Sequence, residues 1–127
     1  MKIVATENAP RPAGHYAQGI IHGDTLHISG QLPVSPDGTH NLQASFSEQA
    51  TVALGNLIAI LKTAGCSIDD LVKVTVYVAG VKHWPEFDRI YSAALGVHRP
   101  ARAVVPVPEL HHGYLVEIEA IAQVKTA

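Results

Sequence analysis

The sequence predicts an α+β fold in which two helices cover one face of a single mixed β-sheet. Two segments carry the capping and breaker residues that are typical of helices. Six shorter segments are rich in β-branched or alternating apolar residues, as strands are. In chain order the segments read β-β-β-α-β-α-β-β. A length of 127 residues fits one domain, taken as residues 1–127, and is short for two.

Three short strands are expected before the first helix, at residues 2–5, 16–21 and 26–29. The third ends at Gly30, and prolines followed by Asp-Gly predict a turn at 33–38. The first helix begins at Ser45, since Ser45 and Glu48 form a capping box in which each side chain satisfies a backbone N–H. The helix ends at Gly65, and its apolar face comprises Ala50, Leu54, Leu57, Ile58 and Leu61.

A strand at 71–78 follows, and its alternation predicts one valine face, comprising Val72, Val74, Val76 and Val78. Pro85 suits the first turn of a second helix, which runs to about Leu95 and ends at Gly96. A fifth strand is expected at 101–105, where following prolines cut it short.

The last strand is expected at 114–124, with a core side comprising Val116, Ile118, Ala120, Ala122 and Val124. Glu117 and Glu119 therefore project from the opposite face. If the last two strands pair as a hairpin, Arg102 comes within reach of one of these glutamates. Such a pair serves either a functional site or a structural cross-strand ion pair, and spacing alone does not decide between them.

Composition argues against several classes of function. The formal net charge is -2 with neutral histidines, and the positive charges are scattered, so no basic surface for nucleic acid is expected. No apolar run approaches the length of a membrane span or of a signal-peptide core. We therefore expect a soluble, cytoplasmic protein that binds neither nucleic acid nor membrane.

Metal and thiol chemistry are also disfavoured. Among eight histidines, His22 and His27 flank a turn without a carboxylate at ligand spacing. His111 and His112 are expected to point opposite ways on an extended segment. Cys66 is the only cysteine, and no charged neighbour is evident to stabilise a thiolate, so a buried side chain is the favoured interpretation. We expect no metal site.

Several motifs together resemble the RidA (YjgF/UK114) family. They occur in the family's order and cover nearly the whole chain, at residues 5–10 (ATENAP), 14–19 (GHYAQG), 28–33 (ISGQLP), 56–57 (NL), 64–65 (AG), 72–78 (VKVTVYV), 100–102 (PAR) and 115–122 (LVEIEAIA). The combination of the last two motifs is the most specific part of the resemblance.

The resemblance implies a chorismate-mutase-like α+β fold that assembles as a homotrimer with three clefts between subunits. It also implies hydrolysis, without a cofactor, of the enamines and imines that pyridoxal-phosphate enzymes release. The products are 2-oxo acids and ammonia, and the expected substrates are short 2-imino acids, namely 2-iminopropanoate and 2-iminobutanoate.

By the same resemblance, Arg102 holds the substrate carboxylate and Glu117 helps to place the attacking water, while Tyr16, Ser29 and Gly30 line the cleft. The chemistry accepts these roles. A guanidinium binds a carboxylate through two parallel hydrogen bonds. The backbone N–H of Gly30 can approach a ligand closely because no side chain blocks it.

This sequence departs from the family's pattern at the cleft. Asp88 stands where asparagine is common, and its carboxylate disfavours an anionic substrate. Val104 replaces a common cysteine, so that only a backbone carbonyl is left there to hold water. The rim also differs, since His111-His112 replace a Pro-Lys-like pair and His15 replaces a common proline. These departures bear on substrate range more than on fold.

Three other functions stay open. A deaminase of a larger substrate, such as 2-aminomuconate, fits the changed rim. A non-enzymatic trimer that binds small carboxylates, or a chaperone-like protein, belongs to a different class. Ribonuclease activity has also been attached to the family, and it is the least favoured because the chain lacks a basic face.

Overall fold

The computed structural model describes residues 1–125, which form a six-stranded sheet and two α-helices. The strands are β1 (Lys2–Val4), β2 (Gly19–His22), β3 (Thr25–Gln31), β4 (Leu71–Val78), β5 (Ala101–Pro106) and β6 (Val116–Gln123). The helices are α1 (Phe46–Thr63) and α2 (Trp84–Leu95). The predicted order β-β-β-α-β-α-β-β is confirmed.

The sheet is mixed, as predicted, with the strand order β1-β2-β3-β6-β4-β5. Neighbouring strands are antiparallel except β4 and β5, which are parallel because α2 carries the chain back between them. β6 lies between β3 and β4. The last two strands do not pair as a hairpin, because β5 takes the outer edge of the sheet and β4 separates Arg102 from both glutamates of β6.

Both helices pack on one face of the sheet, and that face forms the core. The sheet contributes Leu26, Ile28, Val74, Val76, Val78, Val116, Ile118, Ala120 and Ala122. The helices contribute Ala50, Leu54, Leu57, Ile60, Leu61, Phe87 and Leu95 among others. Full burial of a Leu, Ile or Phe side chain stabilises the fold by about 1.5–3 kcal/mol relative to its exposure. The helices leave the second face of the sheet uncovered.

The predicted helix ends are confirmed, but the capping box at Ser45 is only half formed. The Ser45 hydroxyl accepts a hydrogen bond from the backbone N–H of Glu48 at 3.2 Å, whereas the Glu48 carboxylate accepts from the Ser45 hydroxyl and not from a backbone N–H. The helix α1 stops before Gly65, whose φ is +82°. Pro85 lies in the first turn of α2, and Gly96 follows its last residue with φ of +68°. Within residues 1–125, no helix combines the length and the apolar content needed to cross a bilayer.

The predicted valine face of β4 is wrong at Val72. The partners in β6 are Ala122 for Leu71 and Ile121 for Lys73, so β4 carries one extra residue at this point. Such a bulge interrupts the alternation of side chains. Val72 is consequently exposed, and Leu71 takes the buried place that the strict alternation gave to Val72.

Two strands, β2 and β6, begin later in the chain than predicted. β2 begins at Gly19, because Tyr16 lies in a turn in which its N–H bonds the carbonyl of Gly14. β6 begins at Val116, since Tyr114 follows a tight turn and is buried before the strand starts. Turns of this kind leave no clear period in the sequence.

Candidate functional site

Arg102 is held by one face of α2. It pairs with Val74 of β4, so its side chain lies on the helix-covered side of the sheet. Trp84, Asp88 and Tyr91 are four and three residues apart and therefore share the face of α2 that meets it. We call these four residues, Trp84, Asp88, Tyr91 and Arg102, the anchor cluster.

Three contacts fix the guanidinium of the anchor cluster. Nη1 of Arg102 donates a hydrogen bond to Oδ1 of Asp88 at 2.7 Å. Cζ lies 5.4 Å from the ring centroid of Trp84 and 4.9 Å from that of Tyr91. Each cation–π contact stabilises the arrangement by about 0.5–2 kcal/mol. The Arg102 side chain is 20% exposed, so the group is oriented by its neighbours and still reachable from solvent.

A second polar group lies on the uncovered face of the sheet, which we call the glutamate face: Gly30, Tyr77, Glu117 and Glu119. The Tyr77 hydroxyl donates to Oε1 of Glu119 at 2.6 Å. A Cβ built on Gly30 would lie 2.6 Å from Oε2 of Glu117. The backbone of β3 therefore runs directly beside the Glu117 carboxylate, and a larger residue at position 30 would displace that carboxylate.

The two glutamates differ in their surroundings. Burial raises the pKa of Glu117 above its ordinary value, the charge of Glu119 raises it further, and His111 opposes both effects. The hydrogen bond to Glu119 is the main cause of the raised pKa of Tyr77. The Glu119 carboxylate is thus engaged by the Tyr77 hydroxyl, whereas no side chain of residues 1–125 donates a hydrogen bond to the Glu117 carboxylate. Once ionised, a carboxylate whose pKa is raised by burial binds a proton more tightly than an exposed one.

The anchor cluster and the glutamate face do not meet within the chain. Glu117 pairs with Tyr77, and both side chains point away from the helices, whereas Arg102 points toward them. The two residues lie on opposite sides of the sheet, on strands that are not neighbours. The structure therefore brings Asp88 to Arg102 and Gly30 to Glu117, and keeps the two pairs apart.

The remaining predicted site residues, Ser29, Tyr16 and Val104, belong to neither the anchor cluster nor the glutamate face. The Ser29 hydroxyl donates to the carbonyl of Ala17 at 2.6 Å, which ties the 16–18 loop to β3. Tyr16 is 51% exposed at the surface of that loop. Val104 is two residues beyond Arg102 on the same side of β5 and packs against the core.

Sequence reasoning missed the aromatic side chains of both groups. Trp84 and Tyr91 flank Asp88 at helical spacing, which is the signal that could have found them once α2 was assigned. Tyr77 alternates with the buried valines of β4, so its side chain had to face the glutamates if β4 and β6 were neighbours. The pairing of those strands was the missing information.

The prediction that His111 and His112 point apart is wrong. They form a tight turn, because His112 adopts the left-handed conformation with φ of +63°, and their rings lie 3.8 Å apart. His40 packs on His112 at 4.5 Å and its Nδ1 lies 2.7 Å from the Tyr114 hydroxyl. No three His, Cys, Asp or Glu side chains of residues 1–125 are grouped as metal ligands would be.

Cys66 is buried, as predicted. Its thiol lies 3.6 Å from the carbonyl of Gln123, and burial raises the pKa of the thiol, with the charge of Asp70 adding to the effect. A thiol in such surroundings stays protonated and is a poor nucleophile.

Comparisons with known proteins agree on one family. The model of the family described as endoribonuclease L-PSP matches residues 6–124. The 2-iminobutanoate/2-iminopropanoate deaminase of Escherichia coli is 40% identical over 124 residues, covering 95% of this chain and 96% of the relative. A RutC family protein of Pyrococcus horikoshii is 39% identical over 121 residues, covering 95% and 96%. The crystal structure of the YjgF gene product of E. coli has a TM-score of 0.90 at 36% identity, over 98% of this chain and 100% of that one.

Proposed function

The chain belongs to the endoribonuclease L-PSP family, also called the YjgF/RidA family, and on that premise we propose that it hydrolyses short 2-imino acids to 2-oxo acids and ammonia. The observation that carries this proposal is the anchor cluster. An arginine held against two aromatic rings, and reachable from solvent, is suited to hold a small carboxylate in one orientation.

The anchor would place the reacting carbon. A guanidinium binds a carboxylate through parallel N–H donors, and the C=N carbon of a 2-imino acid is bonded directly to that carboxylate. Fixing one therefore fixes the other. An imine carbon is already electrophilic, so a positioned water suffices and no cofactor is required.

Glu117 would supply the water's orientation. Its carboxylate accepts a hydrogen bond from the water and takes a proton as the water oxygen bonds to the imine carbon. With a protonated imine, that proton then passes to the nitrogen of the addition product, which carries a hydroxyl and an ammonium group on the same carbon. Glu117 or water removes the hydroxyl proton as the C–N bond breaks, so that ammonia leaves and the C=O bond forms. The raised pKa of Glu117 supports this role, because it favours acceptance of that proton.

Arg102 and Glu117 would act together only across two copies of the chain. They lie on opposite sides of one sheet, and β5 is an edge strand that a neighbouring copy can approach. We infer a homotrimer with clefts between subunits, in which one copy supplies the anchor cluster and the next supplies the glutamate face. The uncovered face of the sheet supports association, since it carries exposed apolar side chains, namely Ile3 and Val105.

The test is ammonia release from freshly generated 2-aminoacrylate by the wild-type protein and three variants. Arg102→Ala should abolish turnover while the protein stays folded. Arg102→Lys should recover little, because a point charge does not reproduce the planar fork. Arg99→Ala, which removes an exposed arginine three residues earlier, is the matched control and should retain full activity.

Two outcomes would contradict the proposal. Full activity in Arg102→Ala would remove the anchor from the mechanism. Binding of 2-oxobutanoate by the wild type without any turnover of the imine would instead favour a non-enzymatic carrier of small carboxylates.

A further inference from the structure

The guanidinium of Arg102, which would bind the substrate carboxylate, already forms an ion pair with a carboxylate of the same chain. Oδ1 of Asp88 accepts a hydrogen bond from Nη1 of Arg102 at 2.7 Å. No other carboxylate of residues 1–125 forms an ion pair with Arg102. An incoming substrate therefore brings a second negative charge to a cation that is already partnered.

Asp88 is placed to contact that substrate. Its side chain is 44% exposed, and only Oδ1 is engaged by Arg102 within the part of the chain that the structure describes. A ligand carboxylate on the remaining guanidinium donors would lie within a few ångströms of Oδ2, and like charges at that distance repel. A ligand that carries a positive charge next to its carboxylate would be attracted instead.

The substrate and the product of the proposed reaction differ in whether they carry a positive charge next to the carboxylate. A protonated 2-imino acid has a cationic nitrogen one carbon away from its carboxylate and is zwitterionic. The 2-oxo acid product has the same carboxylate and no positive charge. Resting on the proposed function, we propose that Asp88 makes the anchor cluster selective for zwitterionic carboxylates over simple anionic ones, so that it favours the iminium substrate and weakens the hold on the product.

An asparagine would not do this. It has the same size and can still accept a hydrogen bond from Arg102, but it has no charge with which to discriminate. Asp88 is a specificity-determining residue in this account, and its effect is on the ratio of two affinities and not on folding.

The experiment measures the Kd of two stable probes by calorimetry: 2-aminobutanoate, which is zwitterionic, and 2-oxobutanoate, which is anionic. In Asp88→Asn the Kd of 2-oxobutanoate should fall by about tenfold relative to the Kd of 2-aminobutanoate. A change of this size is expected when one of two close charges at a half-exposed site is removed. Asp88→Glu should retain the wild-type preference. Glu86→Gln removes a charge from the same helix, away from the ion pair, and should leave the ratio unchanged.

An equal ratio in the wild type and Asp88→Asn would overturn the inference, as would failure of all the proteins to bind either probe. The fate of the proposed function is decided separately. Imine turnover by the wild type with an unchanged ratio would remove only the role of Asp88. A shifted ratio without turnover would leave the selectivity in place and remove only the hydrolase.

Discussion

Gly30 and Glu117 are in such close contact that a Cβ built on the glycine would lie 2.6 Å from Oε2 and 3.1 Å from Cδ of the glutamate. They meet because β3 and β6 are neighbours with an irregular register between Ile28 and Gln31. The φ of Gly30 is not in the left-handed region, so an alanine there would meet the Glu117 side chain without straining the backbone. The absence of a side chain at Gly30 therefore leaves the space that the Glu117 carboxylate occupies.

Gly30→Ala should lower kcat with little loss of thermal stability. The new methyl group meets the end of a flexible side chain, which can swing away, and the water loses its acceptor when it does. Gly55→Ala is the control, since nothing lies near that position in α1, and it should stabilise the protein by about 0.5–1 kcal/mol. Unchanged kcat in Gly30→Ala would show that the position of Glu117 does not matter.

Glu117→Gln should lower kcat more than it raises KM, because orientation of water is felt chiefly in the transition state. The loss is expected at or below the lower end of the roughly 10²–10⁴-fold range of general-base catalysis, since in the proposed mechanism a backbone carbonyl would also hold the water. Glu119→Gln removes an equal charge from the same face but one that is bonded to Tyr77. The measurement is kcat and KM for both variants. Equal effects of the two substitutions on kcat would contradict the water-orienting role of Glu117.

The raised pKa of Glu117 has a consequence for stability. A carboxyl whose pKa is higher in the folded state holds its proton there when the unfolded chain has lost it. Folding is thus favoured below the unfolded pKa, and that contribution is lost as the pH rises through the folded pKa. At neutral pH, Glu117→Gln should have a melting temperature at or above that of the wild type, and the difference should vanish in acid. A clear loss of stability at neutral pH would contradict the burial argument.

The protein should sediment as a trimer at micromolar concentration. The helices cover one face of the sheet, and the other exposes apolar groups, with Ile3 68% exposed. The number three comes from the family resemblance. Analytical ultracentrifugation measures it directly, and a monodisperse monomer would contradict both the trimer and the site between copies.

Most of the fold could be predicted from local signals. The Ser45 cap, the glycine stops at Gly65 and Gly96, and the alternation in β6 each depend on residues close in sequence, and all are present in the structure. The exposure of Val72 could not be predicted, because a bulge is decided by the register against β6 and not by β4 alone.

The candidate site was harder to predict because it depends on strand order. The hairpin interpretation put Arg102 beside a glutamate, whereas the parallel pairing of β5 with β4 puts it beside Asp88. The family resemblance assigns roles to Arg102, Gly30 and Glu117 and marks Asp88 as a departure from the family's pattern. Nothing in their spacing indicated that they form two pairs on opposite sides of one sheet.

The most direct test of a site shared between copies is subunit mixing. Arg102→Ala chains and Glu117→Ala chains are each expected to be nearly inactive on their own. In the experiment the two variants are unfolded, mixed in equal amounts and refolded together. In a cyclic trimer each cleft would combine residues of two different copies, so about one quarter of the clefts should contain both wild-type residues. The account predicts ammonia release from 2-aminoacrylate near one quarter of the wild-type rate. A rate no higher than that of the two variants refolded apart would contradict it.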